Sequence, residues 1–202
     1  MEILVTLISM SGTMRAVILS SYLKNQKSKK SDHDIVNRIA RDTVIHEILA
    51  SIRKKFNFSR VAIIQFHNGT KYYTGESIQK ASVSFETVSP GVHPTSTSMQ
   101  DVPLGTMTHS LKHIADAGLF CVDDVNECED EHYANVMRAY NEISHYAFKI
   151  EDDSGWIGVL MADRCEDKAD EPALTPACCE WMKIQASRLS VLLAVSDRSY
   201  PA

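Results

Sequence analysis

The eight glycines of this 202-residue chain are scattered, so no glycine-rich loop is available to cradle a phosphate. Its cysteines, at positions 121, 128, 165, 178 and 179, are odd in number and lack the paired C-x-x-C spacing of a zinc or dithiol centre. They read as reduced thiols, which suits a body facing the cytosol. An excess of positive charge is also missing, because 21 Lys and Arg stand against 26 Asp and Glu for a net charge of -5. That balance supplies no global attraction to polyanions, so no nucleic-acid partner is expected. Internal repeats are absent. What the chain does have is 44% hydrophobic and 23% charged residues, enough for one full core and incompatible with wholesale disorder.

Residues 3–23 are mostly apolar, with Arg15 as the charge among them. The length just reaches a membrane span, while a central arginine costs about 2.5–3.5 kcal/mol on insertion scales. Lys24, Lys27, Lys29 and Lys30 follow and would hold the body on the cytoplasmic side. Residues 1–30 are therefore expected to form a hydrophobic helix with a basic linker. The helix either anchors the chain to the inner face of a membrane, packs against copies of itself in a homo-oligomer, or lies on a surface. No small-residue cleavage signature of a removed signal peptide is seen. The globular body is expected over 31–202.

In the body, apolar residues at Ile35, Val36, Ile39, Ala40, Val44, Ile45, Ile48, Leu49, Ile52 and Phe56 recur every three or four positions and predict an amphipathic helix over 34–56. The segment RVAIIQFHNGTKYYTG, Arg60 to Gly75, then reads as a core strand to Phe66 that breaks at Asn68-Gly69. Its polar end is either a pocket-facing loop carrying His67, Tyr72, Tyr73 and Thr74 or a plain hairpin with surface tyrosines. Further strands are predicted over 81–88, 119–125, 144–150 and 156–163, with helices over 103–113 and 133–143. The turn 151–155 joins the last two strands, and a final helix opens at Thr175-Pro176, with Trp181, Ile184, Leu189, Leu192 and Leu193 as its buried side. This order implies an α+β fold with a central antiparallel sheet flanked by helices and a separate N-terminal helix.

The leading helix followed by RVAIIQF, the segment VPLGTMTHSLKHIADAGLFCVDDV, the hairpin around DDSGWIGVLMAD and the closing helix together resemble a GAF domain, a small-molecule sensing module related to PAS domains. The resemblance covers roughly residues 34–196. It implies a ligand cavity beside the stretch from Leu104-Gly105 to Asp123-Asp124. Three patterns of the wider family are missing: the NKxxF motif of cyclic-nucleotide-binding members, a cysteine between Gly105 and His113 as in free methionine sulfoxide reductases, and a Cys-His pair for bilin attachment. The resemblance thus implies a small-molecule ligand but leaves the cofactor unknown.

The residues expected to contact a ligand are Phe66, His67, Tyr72, Tyr73, Phe85, Leu104 and Asp123, the tyrosines by stacking and hydroxyl bonding. For Phe66, Phe85 and Leu104 the apolar character favours a plain place in the core over ligand contact. His109 and His113 share a helix face without an identifiable third ligand, so no metal site is expected. The acids between Asp123 and Glu131 do not follow EF-hand spacing and read as a solvated loop. Glu76, Glu86 and His67 carry acid-base chemistry in principle, but nothing in their spacing brings them together, and no catalytic residue is expected. The sequence thus reads as a non-catalytic sensing or binding module. With no output domain after Ala202, its signal is expected to pass through oligomerisation, a partner or the N-terminal segment. The alternative is a structural or assembly protein, of viral or phage type, that uses the same fold as a building block.

Overall fold

A computed structural model describes residues 35–165 and 171–194. The chain divides into two compact units, Met1–Thr43 and Val44–Ala202. The readings made for residues 1–34 lie outside the described residues. In the first unit residues 35–43 are helical, with Ile35, Val36 and Ile39 exposed and Arg41 bonded to Asp42 at 2.6 Å.

The second unit is built on a six-stranded antiparallel sheet in the order β3-β2-β1-β6-β5-β4. The strands are β1 (Arg60–Lys71), β2 (Ser77–Val88), β3 (Val102–Pro103), β4 (Leu119–Val122), β5 (Glu142–Asp152) and β6 (Gly155–Cys165). The helices are α1 (35–55), α2 (Thr108–Ala117), α3 (Glu131–Ala139) and α4 (Pro176–Ala194). Among the described residues no helix is long and apolar enough to cross a membrane.

The period-2 pleat sorts the strand residues into two cores. Val61, Ile63, Tyr146, Phe148, Leu160 and Ala162 face one way and meet Ile45, Leu49 and Ile52 of α1 and Met182, Ala186, Leu189 and Leu193 of α4. Ala62, Ile64, Ala147, Val159 and Met161 face the other way, under Ile114 of α2 and Ala134 and Met137 of α3. Each large side chain in these layers contributes about 1.5–3 kcal/mol by burial. The expected α+β architecture is thus a sheet with helices on both faces.

Several boundaries differ from expectation. β1 does not stop at Phe66 but runs to Lys71, still paired with β2 through His67↔Lys80 and Asn68↔Gln79. The register shift between Asn68 and Lys71 makes Asn68-Gly69 an irregularity within the strand, and the reversal falls at Tyr72–Gly75, where Gly75 takes a φ of +89°. α3 ends at Ala139, because Asn141 turns the chain at a φ of +57° and Glu142 already belongs to β5. β4 stops pairing at Val122, and the helix expected from Pro103 is a 3-10 turn, Leu104–Thr106, followed by α2. Ile184 is exposed rather than buried, because Met182, Gln185, Ala186 and Leu189 carry the inward stripe. In α1 the buried positions begin at Ile45.

Candidate functional site

Beneath α2 and α3, on the Ala62 face of the sheet, lies a cavity of about 140 Å³. Its floor is Ile64, Phe66, Ala147, Val159 and Met161 from the strands. Its roof is Met107, Leu111 and Ile114 around α2 and Val136 and Met137 on α3. One end is polar, formed by Tyr133, Glu142, His145 and Ser110. An apolar body with a few convergent polar groups is the usual form of a small-molecule site.

The polar end is built by strand register. Asp163 on β6 stands opposite Arg60 on β1 and His145 on β5, so the three lie in one row across the sheet. Arg60 Nη1 donates to Glu142 Oε1 at 2.8 Å and to Asp163 Oδ2 at 3.3 Å, and Nη2 donates to the His93 carbonyl at 3.1 Å. Its Nε lies 3.5 Å from Glu86. His145 Nδ1 stands 2.8 Å from Asp163 Oδ1 and 3.3 Å from Glu142 Oε2, while Nε2 bonds the Tyr133 hydroxyl at 3.0 Å. Arg60, Glu142, His145 and Asp163 are all buried.

Burial and the neighbouring Asp163 push the Glu142 carboxyl up to about 7. Burial alone would depress the His145 imidazolium, but Tyr133, Asp163 and Glu142 hold it well above the ordinary histidine value. Burial also raises the Tyr133 phenol.

Glu86 behaves differently. Burial would raise it, but the Thr95 amide and hydroxyl, each at 2.8 Å, and the Ser96 amide at 3.0 Å bind its carboxylate and lower it. A carboxylate whose folded pKa is depressed stabilises the fold above its unfolded value, and that contribution is lost as pH falls through the folded one. Glu86→Gln is therefore expected to lower stability at neutral pH and to flatten the acid limb of the stability profile below about pH 4.5. Urea denaturation of both proteins across pH checks this, and parallel acid limbs would refute it.

The residues singled out in the sequence are dispersed. Phe66 lines the cavity and packs edge-on to Trp156 at 5.1 Å, and Leu104 packs against the same apolar cluster. Phe85 belongs to the opposite core, edge-on to His46 at 5.6 Å. Tyr72 and Tyr73 sit in solvent on the β1–β2 turn. Asp123 accepts a hydrogen bond from the Tyr146 hydroxyl at 2.8 Å.

His67 opens onto a separate polar cleft, where Nε2 meets Ser82 Oγ at 2.8 Å. Asp101 approaches that same Nε2, at 4.0 Å, while Nδ1 faces the Asn68 carbonyl. A Ser-His-Asp relay needs the acid on the other ring nitrogen, so this arrangement does not activate Ser82. Glu76 is exposed on the turn and Glu86 is held by Thr95 and Ser96, so the three groups considered for acid-base work each have separate surroundings. The acidic run supplies caps: Asp124 accepts from the Asn126 amide and Asp130 from the Tyr133 amide. All five cysteines are free, and burial pushes Cys121 up to about 12, which keeps it a thiol.

Sequence reasoning missed Tyr133, Glu142, His145 and Asp163 as a group. A signal was present, since Arg60, His145 and Asp163 interrupt otherwise apolar strand runs, and a buried charge requires a partner.

No protein-family model matches the chain, and neither does any curated protein. Solved structures do. The blue-light absorbing form of the PixJ GAF domain from Thermosynechococcus elongatus is 16% identical, with 78% of this chain and 87% of that one covered and a TM-score of 0.60. A GAF domain/HD domain protein from Geobacter sulfurreducens is 12% identical, over 77% of this chain and 92% of that one, with a TM-score of 0.57. A far-red absorbing dark state with bound biliverdin is 14% identical, over 80% and 97%, with a TM-score of 0.58. At these identities the likeness establishes the fold, which is GAF-like.

Proposed function

From a GAF-like fold whose sheet and helices enclose an apolar cavity with one polar end, we propose that this chain is a non-catalytic small-molecule sensing or binding module. The cavity carries the reading. Its size selects the ligand: 140 Å³ is well below the ~300–1,000 Å³ of pockets for drug-sized molecules. A compact, largely apolar molecule with one hydrogen-bonding group suits it, the group directed at Tyr133 and His145. A bilin is too large for this volume, and none of the lining residues is a cysteine. Of the residues expected from the sequence, Phe66 is assigned to the ligand's apolar body, with Leu104 supporting the wall. The body is cytoplasmic in this reading, and the N-terminal residues tether it to a membrane or assemble it into a homo-oligomer.

Native mass spectrometry of the full chain, purified gently and compared before and after denaturation, tests the ligand. A small molecule released on unfolding is expected. Ala147→Leu, which extends a side chain into the cavity floor, is expected to cut its occupancy about tenfold or more. Release unaffected by this substitution would place the ligand elsewhere, and an empty wild-type chain would favour the assembly reading. Analytical centrifugation of the chain with and without residues 1–30 tests self-assembly, and a monomer in both would remove it.

A further inference from the structure

We propose that Glu142, His145 and Asp163 form a binding site for a divalent first-row transition ion at the polar end of the cavity. One ligand atom from each of the three residues lies within 4.8 Å of the others, and His145 Nδ1 faces both Asp163 Oδ1 and Glu142 Oε2. An ion bound at about 2.0–2.2 Å to nitrogen and oxygen ligands requires them to stand roughly 3.0–3.4 Å apart. The separations from Nδ1 are 2.8 Å to Asp163 and 3.3 Å to Glu142, so the first pair must part by a few tenths of an ångström to admit an ion.

Hydrogen bonding points to the same atoms. His145 Nδ1 and Asp163 Oδ1 are buried without an aligned hydrogen-bond partner, although they approach each other closely. They form an ion pair at 2.8 Å rather than an aligned hydrogen bond, and buried polar atoms in that condition are where a ligand is sought. Their outward-facing counterparts are all engaged. Arg60 holds Glu142 Oε1 and Asp163 Oδ2, leaving one inner oxygen on each carboxylate. Tyr133 meets His145 Nε2, and a bound ion would take the place of the proton that Nδ1 otherwise presents to Asp163 and Glu142. Metal-ligating groups are oriented by this kind of outer shell.

Charge agrees as well. Arg60 faces three carboxylates, Glu86, Glu142 and Asp163, so acids outnumber the one arginine, and a bound ion would replace the proton carried by His145. The imidazole favours a transition ion over magnesium or calcium, which prefer all-oxygen shells. Glu142 and His145 also line the cavity, so remaining coordination positions would open into it.

Equilibrium dialysis of the full, chelator-stripped chain against Zn²⁺, Mn²⁺ and anaerobic Fe²⁺ in turn tests the site. One equivalent of at least one ion is expected, with affinity falling about 10–100-fold or more in His145→Gln and Asp163→Asn. The paired change His109→Gln with His113→Gln alters imidazoles on α2 outside the cluster and is expected to leave binding intact. Should the buried variants fail to fold, Co²⁺ bound to the wild-type chain is read instead. Visible ligand-field bands without a thiolate charge-transfer band are expected. The proposal is overturned by the absence of stoichiometric binding, by binding that survives His145→Gln, by loss in the α2 variant, or by a thiolate band.

Discussion

Arg60→Met is expected to destabilise the folded body by about 3–5 kcal/mol, the usual result of removing one partner from a buried ion pair. The side chain is 1% exposed, and its guanidinium lies 2.8 Å from Glu142, 3.3 Å from Asp163 and 3.5 Å from Glu86. Methionine approximates the volume of the stem but offers no donor, so three carboxylates would remain in a low-dielectric interior. Desolvation then forces them to take up protons or the strands to part. The burial that raises Glu142 acts in the same direction, since it already disfavours that charge with the arginine present. Chemical denaturation of the two proteins measures the loss. The double variant Arg60→Met with Glu142→Gln is expected to recover part of it, because one stranded charge has been removed. A loss below about 1 kcal/mol would mean that the carboxylates are balanced by something other than Arg60, since that is the range of exposed ion pairs.

Gly158→Ala is expected to have an effect of similar size for a steric reason. Gly158 on β6 pairs with Gln65 on β1, and a Cβ there would run into the carbonyl oxygen of Ile64 and stand 3.2 Å from Gln65 Cα. Both obstacles are backbone, which cannot rotate aside as a side-chain end does. The Gly158 carbonyl also accepts the Trp156 indole N–H at 2.7 Å, so displaced backbone would disturb the ring that packs on Phe66. Overpacking costs about 1–3 kcal/mol where a core can adjust. Here the upper end or more is expected, with lost ladder hydrogen bonds adding about 1 kcal/mol each. Gly105→Ala is the control, because open space surrounds that position. Equal thermal midpoints for the two variants would contradict the argument.

The sheet and its hairpins were legible in the sequence because their signals are local. Alternation in Val83, Phe85 and Thr87 marks β2, the acidic turn before Gly155 joins β5 to β6, and Thr175-Pro176 opens α4, with the Thr175 hydroxyl accepting the Cys178 amide. The polar end of the cavity was not legible. Arg60 and Asp163 lie 103 residues apart, and Glu142 and His145 enter only through the pairing of β5 with β6. Register, rather than spacing along the chain, assembles them. The Asn68-Gly69 reading missed for a related reason: the dipeptide supports either a turn or a strand irregularity, and continued pairing with Lys80 and Gln79 selects the second. Tyr72 and Tyr73 are carried to the far end of that hairpin as a result.

Strand order also sets when this site comes into being. The β1–β2 and β5–β6 hairpins are local and can each close within microseconds. The seam between β1 and β6 cannot, because the loop it closes spans the whole intervening chain. Arg60 meets Asp163 only across that seam, whereas His145 and Asp163 already face each other within the β5–β6 hairpin. On this order the hairpins precede the pocket, and the arginine reaches its carboxylates in the late step that joins β1 to β6.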